Sequence, residues 1–202
     1  MNIVLLCAAV VVVAFAVGAI PFGVLVSRAF YGTDIRSTGS GNIGAANALR
    51  TLGKKGAAVV LALDAFKGFA PTLAAGALGG RTAAACAALA AVLGHCYSPF
   101  LGLRGGKGVA TFFGTLFALW WPAALAFVLV WLAAVVATGY SSVGSMLAAL
   151  ATGPVLYFGE LWTGLSYGVV SALFIVWRHR ANVARLRNGT ENRISLLKAK
   201  RT

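Results

Sequence analysis

Acidic residues are scarce in this sequence. Asp and Glu together number 4 among 202 residues, against 17 Lys and Arg, and only 10% of the chain is charged while 60% is hydrophobic. A soluble domain carries about 25% charged residues, so a soluble globular class is excluded and an integral membrane protein is expected. The net charge of +13 does not indicate nucleic acid, because the basic residues lie in short connectors and a tail beside apolar runs. We therefore expect membrane lipid, and no nucleic acid, as a partner.

Cysteine and histidine are also few. The three cysteines, Cys7, Cys86 and Cys96, lie in or beside apolar runs and show neither disulfide nor metal-ligand spacing. The two histidines, His95 and His179, lie far apart in the sequence. We expect the cysteines to be small buried residues, and we expect neither a metal ion nor a cofactor.

No basic residue precedes the first apolar run, which extends over residues 3–26. A cleaved signal peptide would carry positive charge before a shorter apolar segment. We therefore expect a retained membrane span with a kink near Pro21.

Six further apolar runs predict six further crossings. They cover residues 56–80, 82–94, 109–121, 123–138, 143–158 and 161–177. Several lie near or below the lower limit of about 17 residues for a transmembrane helix. The sequence thus predicts an all-α integral membrane protein, a single domain over residues 1–202 with seven short transmembrane helices.

The positive-inside rule orients this topology. An odd number of crossings between Lys107 and Glu160 keeps the basic tail on the same side as the other basic connectors. With the N-terminus outside and the C-terminus in the cytoplasm, Arg81 is the basic residue placed outside and Lys67 the one within a span.

Residues 101–108 (Leu-Gly-Leu-Arg-Gly-Gly-Lys-Gly) predict an anion-binding loop. Glycines let backbone N–H groups approach an anion closely, and Lys107 and Arg104 add positive charge. The loop differs from a nucleotide-binding P-loop, because Leu101 stands at its first glycine position and Gly108 at its hydroxyl position. The alternative is a basic loop that contacts only lipid headgroups.

Residues 37–50 combine small polar residues with a predicted helix start, for which Asn42 is the expected cap. Free N–H groups at a helix start suit a phosphate, and Arg50 follows about two turns later. The alternative is a surface turn followed by an interfacial helix.

Asp64 and Lys67 interrupt the second apolar run at a spacing that places them on one helix face, so we expect them to pair. Charges at membrane depth usually mark function, although a structural ion pair between helices is equally compatible. His95 ends the third run. The sequence leaves three roles open for it, which are anion binding, general base, and hydrogen bonding to a carbonyl.

Ser141, Ser142 and Ser145 cluster at a predicted helix start, where they donate to an oxyanion or cap the helix. His179 and Asn182 share a face if the last helix continues. The alternative for this tail is a basic helix lying on anionic lipid.

In the predicted topology, residues 40–50, 102–108, 141–145 and 179–191 all lie on the cytoplasmic side. They bring N–H groups, hydroxyls and cations together with few carboxylates, next to apolar spans. We expect one positively charged pocket that binds a phosphorylated ligand beside a fatty chain.

The chain resembles the PlsY family of bacterial acyl-phosphate:glycerol-3-phosphate acyltransferases, in order and over nearly its whole length. The matching segments are Ser40-Gly-Asn-Ile-Gly-Ala-Ala-Asn47 with Arg50, Asp64-x-x-Lys67-Gly68, Gly94-His95, Gly105-Gly-Lys-Gly-Val-Ala-Thr111, Ser141-Ser-x-Gly-Ser145, and His179-x-x-Asn182-x-x-Arg185-Leu186-x-x-Gly189-x-Glu191. The chain departs from the family at Ala46, where threonine is usual, and at Arg104, where lysine is frequent.

The resemblance implies a monomeric enzyme of the bacterial inner membrane that makes lysophosphatidic acid from acyl-phosphate and glycerol-3-phosphate at the cytoplasmic face. It implies phosphate contacts from Ser40, Arg50, Lys107, Ser142 and His179. It places Asn42 and Asn182 near the glycerol or acyl group. We expect His95, His179 and Asn182 as catalytic residues, and Ser40, Asn42, Arg50, Lys107, Ser141 and Ser142 as substrate-binding residues.

The proton acceptor is left open between a histidine base and a phosphate oxygen of the substrate. We favour the substrate, because the sequence shows no histidine–carboxylate pair and neither histidine has Asp five residues later. An anion transporter and a lipid-binding structural protein are the other function classes. A transporter is less favoured because no internal repeat is apparent and the polar motifs gather on one side.

Overall fold

A computed structural model describes residues 3–158 and 162–194, and these residues form helices without any strand. The helices are α1 (Ile3–Ala19), α2 (Phe22–Tyr31), α3 (Ala45–Thr51), α4 (Gly53–Cys96), α5 (Val109–Leu119), α6 (Trp121–Thr138), α7 (Ser141–Phe158), α8 (Trp162–Arg178) and α9 (Arg180–Arg187). Short 3-10 turns occur at Ile35–Ser37 and Pro99–Leu101.

The chain divides into two compact units, Met1–Ala124 and Leu125–Thr202. In the first unit, α4 packs against α1, α2, α3 and α5. Alanines fill much of the contact between α1 and α4, because small side chains let helix backbones approach closely. This buried cluster comprises Ala14, Ala75, Ala83, Ala87, Ala90 and Ala91.

The helix α4 turns back on itself at Gly80, whose backbone lies in a left-handed region (φ 72°, ψ −166°). An L side chain rarely adopts such a φ, so glycine suits this position. The two halves of the helix then lie side by side, and a Cβ at Gly76 would lie 3.4 Å from Ala84 Cβ. The sequence prediction of two apolar helices separated near Arg81 is confirmed.

Other predicted breaks are also present. Pro21 stands between α1 and α2, at the predicted kink. The backbone at Trp120 is extended between α5 and α6, and Gly139 takes a positive φ of 76° between α6 and α7.

Among the described residues, four segments are long and apolar enough to cross a membrane: Leu5–Tyr31, Gly53–Leu101, Trp121–Thr138 and Ser141–Phe158. Val109–Leu119 and Leu165–Arg178 are shorter apolar helices. Seven crossings and the orientation of the termini therefore stay predictions. The predicted start of the last span at Leu161 and part of the basic tail, from residue 195 onward, lie outside the described residues.

In the second unit, α7 packs against α8. The segment after α9 returns to the junction between α6 and α7, where Ile194 N donates to Gly139 O at 2.8 Å. Arg193 Nε donates to Tyr140 Oη at 3.2 Å, and its guanidinium lies over the tyrosine ring. These contacts bring the residues after α9 close to the serines that begin α7.

Candidate functional site

Asn47, a buried side chain of α3, holds the loop that precedes its helix. Its Nδ2 lies 3.0 Å from Ile35 O, 3.1 Å from Thr38 O and 2.9 Å from Asn42 O. Its Oδ1 accepts from Ser40 N at 2.9 Å. One amide thus fixes the loop backbone, which leaves the Ser40 side chain exposed.

The expected capping role of Asn42 is wrong. The helix α3 begins at Ala45 with Gly44 as its N-cap, and no side chain caps it. Asn42 Oδ1 instead accepts from Gly44 N at 2.9 Å, in a turn that precedes the helix. The helix therefore starts three residues after Asn42, and the exposed Arg50 lies in its last turn.

The predicted anion loop, residues 102–108, folds back onto the end of α4. Gly105 N donates to Cys96 O, and Gly106 N donates to His95 O, both at 3.1 Å. A Cβ at Gly106 would overlap His95 Nε2, so only glycine fits this close approach. Lys107 is half-buried and stands two residues before α5.

The expected pairing of Asp64 with Lys67 is confirmed. Lys67 Nζ lies 2.7 Å from Asp64 Oδ1, and the side chains of Lys67 and Asp64 are 1% and 0% exposed. Lys67 Nζ also donates to Ile20 O at 2.7 Å, beside the break between α1 and α2, and lies 5.6 Å from the centre of the Phe22 ring. The ammonium thus meets a carboxylate, a carbonyl and an aromatic face in an apolar interior.

The same carboxylate approaches His95, whose Nδ1 lies 3.7 Å from Asp64 Oδ1. This histidine–carboxylate pair was not predicted, because the two residues lie in different halves of α4. A signal was present, since Asp64 and His95 stand at nearly equal distances in sequence on either side of Gly80. A hairpin at Gly80 brings two such positions together.

In the second unit, Glu191 accepts hydrogen bonds from three side chains of two helices, α7 and α9. Its Oε1 accepts from Ser142 Oγ at 2.9 Å and from Asn182 Nδ2 at 2.6 Å. Its Oε2 accepts from Arg185 Nε at 2.7 Å, and the carboxylate side chain is 4% exposed. No role was predicted for Glu191, although it is an isolated acidic residue in a basic tail.

The Glu191 carboxyl is ionised near neutral pH. Burial acts to raise its pKa, but hydrogen bonds from Asn182, Arg185 and Ser142 favour the charged form more strongly. The pKa of Glu191 therefore lies below its ordinary value. An ionised carboxylate only accepts, so the nitrogen of the Asn182 amide must face it.

This orientation turns Asn182 Oδ1 away from Glu191. The oxygen is buried and has no hydrogen-bond partner among the described residues. A buried acceptor without a donor is costly, so this atom suits a hydroxyl or N–H of a bound molecule.

His179 separates α8 from α9, so the two helices do not continue through it as one. Its ring is buried, and Nδ1 lies 2.8 Å from Ile175 O. Since a carbonyl only accepts, Nδ1 carries a hydrogen, and in the neutral imidazole Nε2 is the unprotonated nitrogen.

At the start of α7, the hydroxyls of Ser142 and Ser145 form hydrogen bonds that do not cap the helix. Ser145 Oγ donates to Ser141 O at 2.8 Å, within the helix. Ser142 gives its O–H to Glu191, and Ser141 is half-buried as the first residue of α7.

The structure therefore groups the predicted site residues within each unit. In the first, Ser40 and Asn42 share the Asn47 loop, and His95 lies against the loop of Lys107. In the second, Ser142 and Asn182 share Glu191. Within the described residues, no group of three or more His, Cys, Asp or Glu side chains is placed to hold a metal ion.

A family model described as glycerol-3-phosphate acyltransferase matches residues 8–189. The glycerol-3-phosphate acyltransferase of Rhodopseudomonas palustris (strain BisB5) is 48% identical over 92% of this chain and 95% of its own length. The enzyme of Ruegeria pomeroyi is 47% identical over 91% of this chain and 90% of its own length.

Two crystal structures of PlsY, an integral membrane glycerol 3-phosphate acyltransferase, match the fold. The glycerol 3-phosphate form gives a TM-score of 0.90 at 38% identity, and the lysophosphatidic acid form gives 0.87 at 36% identity. Each match covers 95% of this chain and 96% of the other. The similarity thus extends over nearly the full length of both proteins.

Proposed function

Because this chain belongs to the glycerol-3-phosphate acyltransferase family, we propose that it transfers an acyl group from acyl-phosphate to glycerol-3-phosphate. The family resemblance read from the sequence motifs is confirmed, and the chain is an integral membrane protein like PlsY. We place it in the bacterial inner membrane as a monomer, with its active site on the cytoplasmic face. The acceptor and product are supported by the two PlsY structures, one a glycerol 3-phosphate form and the other a lysophosphatidic acid form.

The single observation that carries the site assignment in the first unit is the folded loop of residues 102–108. Its backbone is held against α4, and the chain places Lys107 just before the N-terminal end of α5. The helix dipole at the start of α5 and the charge of the neighbouring lysine together favour a phosphate. We assign Lys107, Arg50 and Ser40 to substrate phosphates, and Asn42 to the glycerol or acyl group.

In the second unit, Asn182 Oδ1 accepts a hydrogen bond from a glycerol hydroxyl in our proposal. This role is supported by the buried position of that oxygen and its lack of a partner among the described residues. Ser142 has one O–H and gives it to Glu191, so it supports Asn182 through the shared carboxylate. Ser141 contributes to substrate binding at the start of α7.

The reaction needs no covalent intermediate on the protein. A hydroxyl oxygen of glycerol-3-phosphate attacks the acyl carbonyl carbon, the carbon–oxygen bond to phosphate breaks, and phosphate leaves. Holding two reactants in line can supply about 7–11 kcal/mol of the barrier. Arg50 and Lys107 offset the repulsion between the two phosphates, and polar donors stabilise the oxyanion of the tetrahedral state.

We propose that a phosphate oxygen of the substrate takes the proton of the attacking hydroxyl. His179 is the rival acceptor, because its neutral form has an unprotonated Nε2. His95 is a weaker candidate for a base, since its ring lies against the backbone of Gly106 and shares Asp64 with Lys67. A His179→Gln variant separates these hypotheses. A rise in acceptor KM at nearly constant kcat supports a binding role, and a large fall in kcat alone supports the histidine base.

Purified protein in detergent tests the activity itself. We expect labelled glycerol-3-phosphate and acyl-phosphate to give lysophosphatidic acid without any membrane gradient. Acyl-CoA and acyl-carrier protein serve as control donors and should give no product. Product from acyl-CoA alone would contradict the proposed donor. Movement of phosphate across vesicles without any product would favour a transporter.

A further inference from the structure

The geometry points to Asp64 as a positioning residue for glycerol-3-phosphate binding, acting through His95 on the loop that carries Lys107. This inference rests on the proposed role of residues 102–108 in binding the acceptor phosphate. Asp64 does not touch that loop itself. Its effect passes through one imidazole.

The contacts form a short chain. Asp64 Oδ1 lies 3.7 Å from His95 Nδ1. The backbone carbonyl of His95 accepts from Gly106 N at 3.1 Å. The imidazole of His95 also lies close to Gly106, because a Cβ added to Gly106 would overlap His95 Nε2. Lys107 is the next residue. The position of the imidazole thus limits where the loop backbone can lie.

The Asp64 carboxylate, 3.7 Å from Nδ1, favours a ring orientation that turns Nδ1 toward its negative charge. His95 is 3% exposed, so water cannot take over this role. Without Asp64, the ring can rotate or shift. Because the ring lies against Gly106, a change in its position alters the surface on which the loop backbone packs.

Lys67 has a different part in the same cluster. Its ammonium contacts Asp64 and the carbonyl of Ile20. It therefore balances the buried charge of Asp64 and ties α4 to the break between α1 and α2. A buried ion pair can often be replaced by apolar side chains of similar volume without loss of stability. A contribution to stability therefore does not explain why Asp64 lies beside His95.

This division of roles gives a test that avoids a misfolded variant. Asp64→Asn alone would leave Lys67 buried without its counter-charge, so the paired variant Asp64→Asn/Lys67→Met is the informative one. Within the loop, Lys107→Ala reports on phosphate binding directly. Thr72→Val is the matched control, because Thr72 is buried in α4 and donates only to Gly68 O of the same helix.

The measurements are acceptor KM, kcat and thermal midpoint for each purified variant in detergent. We expect Asp64→Asn/Lys67→Met to stay folded and to raise the KM for glycerol-3-phosphate about tenfold, with kcat changed less than about threefold. His95→Asn should raise KM similarly. Adding His95→Asn to the paired variant should raise it no further, because Asp64 acts through that ring.

Each opposite result overturns the inference. A wild-type KM in the folded paired variant, with a raised KM in Lys107→Ala, would reject the role of Asp64 and leave the proposed function intact. Additive effects of the paired variant and His95→Asn would reject His95 as the intermediary. An equal rise in KM for Thr72→Val would show that any change in α4 disturbs binding. An unchanged KM in Lys107→Ala would remove the loop from acceptor binding, and the inference with it.

Discussion

Among the described residues, Asp64 is a buried carboxylate of the first unit and Glu191 one of the second, and their surroundings differ. Asp64 in the first unit pairs with a lysine one turn away on the same helix and with a histidine from the returning half of that helix. Glu191 in the second unit accepts from Ser142 of α7 and from Asn182 and Arg185 of α9. Asp64 lies within an apolar helical segment, whereas Glu191 follows the last described helix.

Because their surroundings differ, the two carboxylates contribute differently to stability and to binding. The charge of Asp64 is balanced locally, so Asp64 and Lys67 can be removed together at little cost in stability. Glu191 is balanced by one arginine that is 36% exposed and by two neutral donors, so no single second substitution compensates for its loss. We therefore expect Glu191 to matter mainly for folding of the second unit and Asp64 mainly for binding.

The largest expected effect is that of Glu191→Gln. The amide cannot accept from three donors as a carboxylate does, so Ser142, Asn182 and Arg185 lose their common partner. We expect a loss of about 3 kcal/mol in unfolding free energy and of most activity, measured by thermal unfolding in detergent and by residual turnover.

Asp34→Asn is the control for this variant. Asp34 pairs with Arg28 and Arg36 on the surface, where ion pairs contribute less than about 1 kcal/mol. If Glu191→Gln were as stable as Asp34→Asn, the second unit would not depend on its buried carboxylate and the comparison would fail.

Asn47→Ala tests whether the neutral Asn47 side chain stabilises the first unit as strongly as the charged Glu191 stabilises the second. The change removes the amide contacts to Ile35, Thr38, Asn42 and Ser40. We expect a loss of about 2 kcal/mol and a raised acceptor KM, because Ser40 is no longer held. Thr51→Val is its control, since Thr51 donates only to Asn47 O. Equal KM values for the two variants would remove the Asn47 loop from binding.

Gly106→Ala tests the contact between His95 and the loop. The added methyl group would overlap His95 Nε2, so the buried imidazole, the loop or both must shift, which disturbs the backbone next to Lys107. We expect acceptor KM to rise about tenfold, equivalent to about 1.4 kcal/mol, with a smaller change in thermal midpoint. Gly76→Ala on α4 is the control, because its Cβ would meet Ala84 at an ordinary 3.4 Å. A wild-type KM in Gly106→Ala would show that loop position does not limit binding.

The smallest expected effect is on the pH dependence of stability. The pKa of Glu191 is lowered in the folded state, so between that value and its higher unfolded value the unfolded chain binds more protons. Stability from Glu191 is then complete above the unfolded pKa and is lost as pH falls toward the folded pKa. The difference in thermal midpoint between the wild type and Glu191→Gln should shrink below about pH 4.3. A difference independent of pH would contradict an ionised Glu191.

Features that depend on near neighbours in sequence were predictable. Pro21 and Gly139 mark helix breaks through backbone restraints, and Asp64 with Lys67 pairs because one helical turn separates them. The predicted capping role of Asn42 was wrong. The same glycine-rich residues are compatible with Asn42 as a helix cap and with Asn42 in a turn that precedes the helix, and the second arrangement forms. Which one forms depends on where Asn47 lies, and that is set by packing of α3.

The contacts missed from the sequence join residues distant in the chain. Asp64 meets His95 only because α4 reverses at Gly80, and Glu191 meets Ser142 only because the segment after α9 returns to the start of α7. The spacing of apolar residues along a helix does not predict which distant residues meet when the chain reverses. The isolated acidic residues were nevertheless a signal, because a buried carboxylate in a basic chain needs several partners.

The most direct test of the account is the release of phosphate from acyl-phosphate before the acceptor is added. Direct transfer, driven by positioning of two bound substrates, predicts no burst of phosphate with donor alone. It also predicts one phosphate for each lysophosphatidic acid once glycerol-3-phosphate is present. A burst equal to the enzyme concentration in rapid-quench measurements without acceptor would reveal an acyl-enzyme and contradict direct transfer.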